Sequence, residues 1–237
     1  MAPLTLAGWR GSADDLVVGG AHPHDLAKAV VADYERGVTN RIMPYPWQSE
    51  TCIGDWHYNR GRFLDHSYMK PGQAIHWMVD AVSKNGTFIL NIPGRPDGTI
   101  DTDEQAILDA IGGWMKINGE AIYATRPWKI FGEGSHTATG GAFSGGSTRA
   151  LDARDVRFTR SKAGDVVYAI VLGWPDGDFI LQNLGTAAPT KPGKAQHVEM
   201  LGSDAKLTWN QAAESLTVQK PAIKPCDFAC ALKVTLA

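Results

Sequence analysis

The chain has 237 residues, 43% hydrophobic and 20% charged, an ordinary globular composition with length for one good core or two modest domains. Its 23 basic and 25 acidic residues leave a formal net charge of −2, which gives no electrostatic reason to expect nucleic acid or an anionic membrane as a partner. No apolar run approaches the roughly 20 residues that span a bilayer, and three cysteines do not make a disulfide framework.

In chain order, Met1 to Arg10 lacks a charged n-region and a sustained apolar stretch, so no secretory leader is expected and a cytoplasmic location is the default. Asp15–Gly19 reads as a strand and Asp25–Val31 as a short helix. From Gly72 to Lys84, Ile75, Met78, Val79 and Val82 share one helical face, and Asn85-Gly86 supplies the stop. Thr87–Pro93 is an expected strand. A second helix starts at Asp101 or Thr102, where Asp101/Glu104 or Thr102/Gln105 forms a capping box. Ile107, Leu108, Ile111, Trp114 and Met115 make its buried stripe, Asn118-Gly119 ends it, and Glu120–Ala124 reads as another strand. This strand–helix alternation favours parallel strands, with too few units for a complete eight-fold barrel. The expectation is part of a barrel or a small open α/β sheet.

The pattern changes near Arg126-Pro127-Trp128, dividing the chain into an α/β region, 1–127, and an all-β region, 128–237. In the latter, β patterns occur at Val166–Leu172, Asp178–Leu181, His197–Leu201, Ala205–Trp209, Ser215–Val218 and Ala231–Leu236, with frequent turn signals between them. That organisation predicts a β-sandwich. Gly140–Ser147 reads as one flexible loop. Cys226 and Cys230 would share a face of one strand, too far apart to bond; they are expected to be small buried residues, and no nearby His suits a zinc site.

Two segments go beyond generic fold reasoning. One is Pro46-Trp47-Gln48-Ser49-Glu50-Thr51-Cys52-Ile53-Gly54-Asp55-Trp56-His57-Tyr58. The other runs from Val82 through Asn91-Ile92-Pro93 and Asp97-Gly98-Thr99-Ile100 to Asn118-Gly119-Glu120-Ala121-Ile122-Tyr123-Ala124-Thr125-Arg126-Pro127-Trp128. With Asp33-Tyr34-Glu35-Arg36-Gly37 ahead of them, they resemble the later barrel strands of bacterial α-L-fucosidases of glycoside hydrolase family 29, from about Asp33 to the C-terminus. The resemblance implies retaining hydrolysis of a terminal α-L-fucosyl bond on an (αβ)8-like barrel, with no metal or organic cofactor. Such chemistry needs one ionised and one protonated carboxyl group about 5–5.5 Å apart.

By this resemblance Glu35 and Glu50 are the two candidates for the acid/base; read as residues alone, each is equally a surface glutamate or ion-pair partner. The family's nucleophile Asp stands on a strand ahead of everything matched, so a truncated enzyme is expected. Its substitute would come from Asp14, Asp15, Asp33, Glu50 or Asp55, or a second chain would complete the pocket in a homo-oligomer, covering exposed strand edges. Trp47 and Trp56 are candidate platforms for fucose, with core tryptophan the alternative. His57 and Tyr58 are candidate hydrogen-bonders to sugar hydroxyls, with Asp55 orienting His57. Trp174-Pro175-Asp176-Gly177 and Asp97-Gly98 read as turns, and His76 as a packed helix residue. No Arg stands near His22 and His24, where the family often carries a sugar-contacting one. The partner expected is a fucosylated glycan or glycoside; the alternative is a fucose-binding module without hydrolysis.

Overall fold

The computed structural model describes residues 31–134, 140, 141, 143, 144 and 151–237. The strand expected at Asp15–Gly19, the helix expected from Asp25, and half of the Gly140–Ser147 loop lie outside them. Asp14, Asp15, His22 and His24 do so as well.

Three short strands, β1 (Ala32–Glu35), β2 (Trp47–Cys52) and β3 (Gly86–Asn91), form a parallel sheet in the order β1-β2-β3. Between β2 and β3 the chain makes a short helix, α1 (Arg60–Leu64), and a longer one, α2 (Pro71–Ser83). Alternation along β1 and β2 sends Ala32, Tyr34, Trp47, Ser49 and Thr51 to a buried face, and Asp33, Glu35, Gln48 and Glu50 to the opposite, half-buried one. The buried row packs with Ala81 and Trp77 of α2. Trp47 is its centre: it meets Tyr34 edge-on at 5.3 Å, and its indole N–H donates to the Lys84 carbonyl at 2.9 Å. The Trp77 indole donates to Ser49 Oγ at 2.8 Å, and Ser49 donates onward to the Gly37 carbonyl at 2.6 Å.

The turn out of α2 is built as the Asn85-Gly86 pair requires. Asn85 adopts a left-handed φ of 73° and its side-chain amide donates to the Met43 carbonyl at 3.0 Å. A Cβ on Gly86 would lie 2.5 Å from the Trp47 ring and 2.9 Å from the Ala81 carbonyl oxygen, so the strand can begin there only with glycine.

The helix α3 (Thr102–Asn118) carries the expected Asp101/Glu104 capping box, each carboxylate accepting the other residue's backbone N–H at 2.9 Å. The strand expected at Glu120–Ala124 is instead a 3-10 turn at Gly119–Ala121 followed by a second turn. Ala121 is buried, Tyr123 is 68% exposed, and Ala124 takes a positive φ of 56° that ends any extended run.

The remaining strands are antiparallel: β4 (Arg126–Glu133), β5 (Val156–Arg160), β6 (Val166–Val171), β7 (Phe179–Leu181), β8 (Ala195–Met200), β9 (Trp209–Gln211), β10 (Leu216–Val218) and β11 (Cys230–Leu236). A five-stranded sheet, β4-β5-β6-β11-β8, faces a three-stranded one, β7-β10-β9. Trp128, Phe158, Ala169 and Leu232 from the first meet Phe179, Leu181, Leu216 and Val218 from the second in one core, which is the expected sandwich. The strand anticipated at Ala205–Trp209 begins only at Trp209. Cys226 precedes β11 rather than sharing it with Cys230; both are free thiols, and burial pushes Cys230 up to about 12.

The outer face of the five-stranded sheet covers α2 and α3. Ile75, Val79 and Trp114 pack there against Tyr168, Ile170, Leu172 and Ala231, each large apolar side chain contributing roughly 1.5–3 kcal/mol by burial. A buried charge cluster sits within this junction. Asp80 of α2 accepts from Lys84 Nζ and from Arg157 Nε of β5, both at 2.6 Å. The two cations lie 4.7 Å and 5.5 Å from the Phe131 ring centroid. Burial acts to raise the Asp80 carboxyl, but Lys84 and Arg157 outweigh it and hold it below its usual range.

Candidate active site

The C-terminal ends of β1, β2 and β3 lie at one edge of the sheet, where loops can gather chemistry from several strands. The row facing away from α2 holds Asp33 and Glu35 on β1 and Gln48 and Glu50 on β2. Register places Glu35 directly opposite Glu50, and Asp33 opposite Gln48. Adjacent strands run about 4.8 Å apart, so two carboxyl groups fifteen positions apart in the chain become neighbours.

Their electrostatics are unequal. Burial first, then the Asp33 charge, a hydrogen bond with Asp33 and the Glu35 charge all push Glu50 above its ordinary value. Gln48 Nε2 donates to Asp33 Oδ1 at 3.1 Å and steadies that carboxylate beside Glu50. The neighbourhood therefore favours a proton on Glu50.

The loop after β2 closes over this row. Trp56, 36% exposed, donates its indole N–H to Glu35 Oε1 at 3.3 Å, and its carbonyl accepts from Asn91 Nδ2 at 3.3 Å. Arg36, unassigned by the sequence reading, stands at a left-handed φ of 48° with its guanidinium 5.6 Å from the Trp56 ring centroid and an Nη2–H donated to Cys52 Sγ at 3.0 Å. Its position one residue past Glu35 at a strand's C-terminal end was the available signal. Arg36 Nε is buried with no hydrogen-bond partner among the described residues.

Trp47 must be corrected. It is fully buried on the α2 side of the sheet, with its N–H taken by Lys84, and cannot meet a sugar. Asp55 is corrected too. Hydrogen bonds from Arg62 at 3.1 Å and Asn59 at 2.8 Å occupy its oxygens and hold it below the usual carboxylate range, so it braces the loop rather than orienting His57. Asn59 in turn caps α1, accepting from the Gly61 N–H at 2.9 Å. His57 is exposed on this loop. The Tyr58 hydroxyl faces Arg95, whose Nε donates to it at 3.5 Å.

Trp174–Gly177 is a sandwich turn, held by Lys220 donating to the Pro175 and Asp176 carbonyls. His76 packs in α2 with Nε2 2.9 Å from the Phe228 carbonyl, and burial lowers its pKa. A dish of about 630 Å³ in the sandwich is lined by Lys191, Lys194, Trp209 and Asn210 among others, without a carboxyl side chain, so two-carboxylate chemistry has no footing there. Among the described residues no three His, Cys, Asp or Glu side chains are grouped to hold a metal ion, and no helix is long and apolar enough to cross a membrane.

Sequence comparison finds the α-L-fucosidase family over residues 11–120 and the α-L-fucosidase C-terminal domain over residues 152–236. The match thus reaches upstream of Asp33, where the sequence reading began its resemblance. The tissue α-L-fucosidases of Mus musculus and Homo sapiens are each 31% identical over 202 residues, 82% of this chain but 39% and 38% of those proteins. The chain thus spans about two fifths of the length of the curated relatives it matches. These relatives are mammalian, so the expected bacterial branch widens to the family as a whole. An α-L-fucosidase isoenzyme from Paenibacillus thiaminolyticus superposes with a TM-score of 0.66 at 23% identity, over 87% of this chain and 45% of that one. A Bacteroides thetaiotaomicron enzyme of family 29, described as a trapped covalent intermediate, does so with 0.64 at 22%, over 86% and 43%.

Proposed function

The chain belongs to the α-L-fucosidase family, and from that premise we propose that it hydrolyses terminal α-L-fucosides with a pair of carboxyl groups, Glu50 acting as the proton donor and then the base. The observation carrying this is the asymmetry of the row: Glu50 is pushed toward the neutral acid by burial, Asp33 and Glu35. A retaining glycosidase needs such a carboxylic acid beside an ionised partner about 5–5.5 Å away. Glu35, opposite Glu50 in register, is the described carboxylate best spaced for the second role.

The reaction follows from these positions. The carboxylate attacks the anomeric carbon while Glu50 hands its proton to the departing glycosidic oxygen; Glu50 then deprotonates the water that releases fucose. A sugar hydroxyl in place of that water would give transfucosylation. The trapped covalent intermediate described for the Bacteroides relative supports the retaining route. Trp56 lies against Glu35 and offers its ring to the apolar side of fucose. The substrate is a fucosylated glycan or glycoside. Residues 1–127 act as the catalytic region and 128–237 as a sandwich that buttresses it. Among the described residues β1 and β3 each have one neighbouring strand, and we propose that a homo-oligomer covers these edges.

The test is hydrolysis of 4-nitrophenyl α-L-fucoside by size-fractionated protein, with Glu50→Gln and Glu35→Gln beside it. Loss of about 10²–10⁴-fold in Glu50→Gln, with azide rescue giving the α-fucosyl azide, identifies the acid/base. Rescue of Glu35→Gln to the β-azide identifies the nucleophile. Folded wild-type protein that binds fucose without turnover in any assembly state overturns the hydrolytic reading.

A further inference from the structure

The carboxyl row has a direction. On the reading above, which this inference deepens, the attacking carboxylate lies on β1 and the proton donor on β2. In a retaining displacement the leaving group departs from the face opposite the nucleophile, past the acid that protonates it. It must therefore extend over β3 and the loop that follows β3.

That loop is rigid and carries one conspicuous side chain. Arg95 N–H donates to the Thr99 carbonyl at 2.7 Å, and Gly98 N–H to the Arg95 carbonyl at 2.9 Å. Asp97 Oδ1 accepts from the Thr99 amide and hydroxyl at 3.0 and 2.7 Å, and Gly98 supplies a φ of 83°. The Arg95 guanidinium lies 5.5 Å from the Phe63 ring centroid and 6.0 Å from that of Tyr58, and Nε donates to the Tyr58 hydroxyl. Its terminal nitrogens have no hydrogen-bond or ion-pair partner among the described residues. Tyr58 is two residues past Trp56, which is tied to Asn91 at the end of β3. The loops after β2 and β3 are thus joined, with a flat cation within 6.0 Å of two aromatic ring centroids on the leaving-group side.

We propose that Arg95, presented by Tyr58 and Phe63, forms a leaving-group subsite that favours an aglycone bearing an anionic substituent, a carboxylate or sulfate, near the fucosyl bond. A guanidinium anchored through Nε beside aromatic rings keeps its outer nitrogens free for bidentate contact with a planar or tetrahedral anion. Tyr58 serves this subsite as a positioning residue rather than binding a fucose hydroxyl.

The experiment compares 4-carboxyphenyl with 4-carbamoylphenyl α-L-fucoside, which share shape and differ in charge. With the full chain, the ratio of the two kcat/KM values is measured for wild type, Arg95→Gln and Arg95→Lys. Arg95 is exposed and its charge contact screened by solvent, so the ratio should fall only modestly, about five-fold, in Arg95→Gln and less in Arg95→Lys. The wild-type ratio should also shrink as salt is raised. A ratio identical in wild type and Arg95→Gln overturns the subsite. The same two ligands are titrated calorimetrically onto Glu50→Gln protein with and without Arg95→Gln, a readout free of turnover. A charge preference in binding that depends on Arg95, in a protein whose wild type never hydrolyses, retires the hydrolytic reading and keeps the subsite. Binding of neither ligand removes the subsite as well.

Discussion

Asp80 of α2 and Arg157 of β5 meet at 2.6 Å across the junction of the two halves, and each is almost wholly withdrawn from water. A pair of this kind is poor at adding stability over an apolar substitute, but breaking it strands a charge. Arg157→Met or Asp80→Asn should therefore cost about 3–5 kcal/mol by urea denaturation, whereas Asp80→Leu/Lys84→Met/Arg157→Met together should recover most of the loss. Because Asp80 is depressed below its unfolded value, its contribution is present above the unfolded pKa and disappears as pH falls through the folded one. Acid unfolding of the wild type should be steeper than that of the triple variant.

The raised pKa of Glu50 makes the opposite contribution. Its folded state holds the proton above 4.5, where the unfolded chain has released it, so wild-type stability declines as pH rises through the interval from 4.5 to the raised value. Glu50→Gln has no such proton to hold. Thermal melts should show the variant slightly more stable than wild type at pH 7 and equal to it below pH about 4, while activity is lost.

Gly86→Ala tests the contact at the head of β3. The new methyl would press on the Trp47 ring at 2.5 Å and the Ala81 carbonyl at 2.9 Å, both parts of a packed core. A cost of about 1–3 kcal/mol is expected, read as a lower denaturation midpoint with an unchanged slope.

Asp101 caps α3 and also accepts the buried Tyr68 hydroxyl at 2.8 Å. Asp101→Ala loses the cap and leaves that hydroxyl without its partner, together about 2–3 kcal/mol. Asp101→Asn keeps an acceptor for the Glu104 amide, and its melting temperature should fall by less than half as much.

Both long helices were legible because their ends are written locally, in Asn85-Gly86 and in Asp101/Glu104. β5 was not: Asp80 and the Ala121 carbonyl satisfy its Arg157 and Thr159 in the interior, a partnership that no local window contains. Glu120–Ala124 has strand-like composition, but packing takes the adjacent pair Ala121 and Ile122 from it rather than alternate residues. In the candidate site, Glu35 and Glu50 were singled out by their motifs, while Asp33 as the neighbour that raises Glu50 required the register of β1 on β2. Trp47 and Trp56 were indistinguishable by motif; one lies on an alternating strand and the other beyond its end, and strand parity decides which meets the core.

Parity also makes β2 intolerant of a change in length. Its even positions carry Gln48 and Glu50, and its odd ones Trp47, Ser49 and Thr51, which pack toward α2. A single-residue deletion or insertion within the strand would exchange these sets, driving a carboxylate into the helix-side core and an indole onto the face that carries the carboxyl row. The helix-side packing and the carboxyl row would then be lost in one step, so length changes engineered here should be tolerated only in the flanking loops.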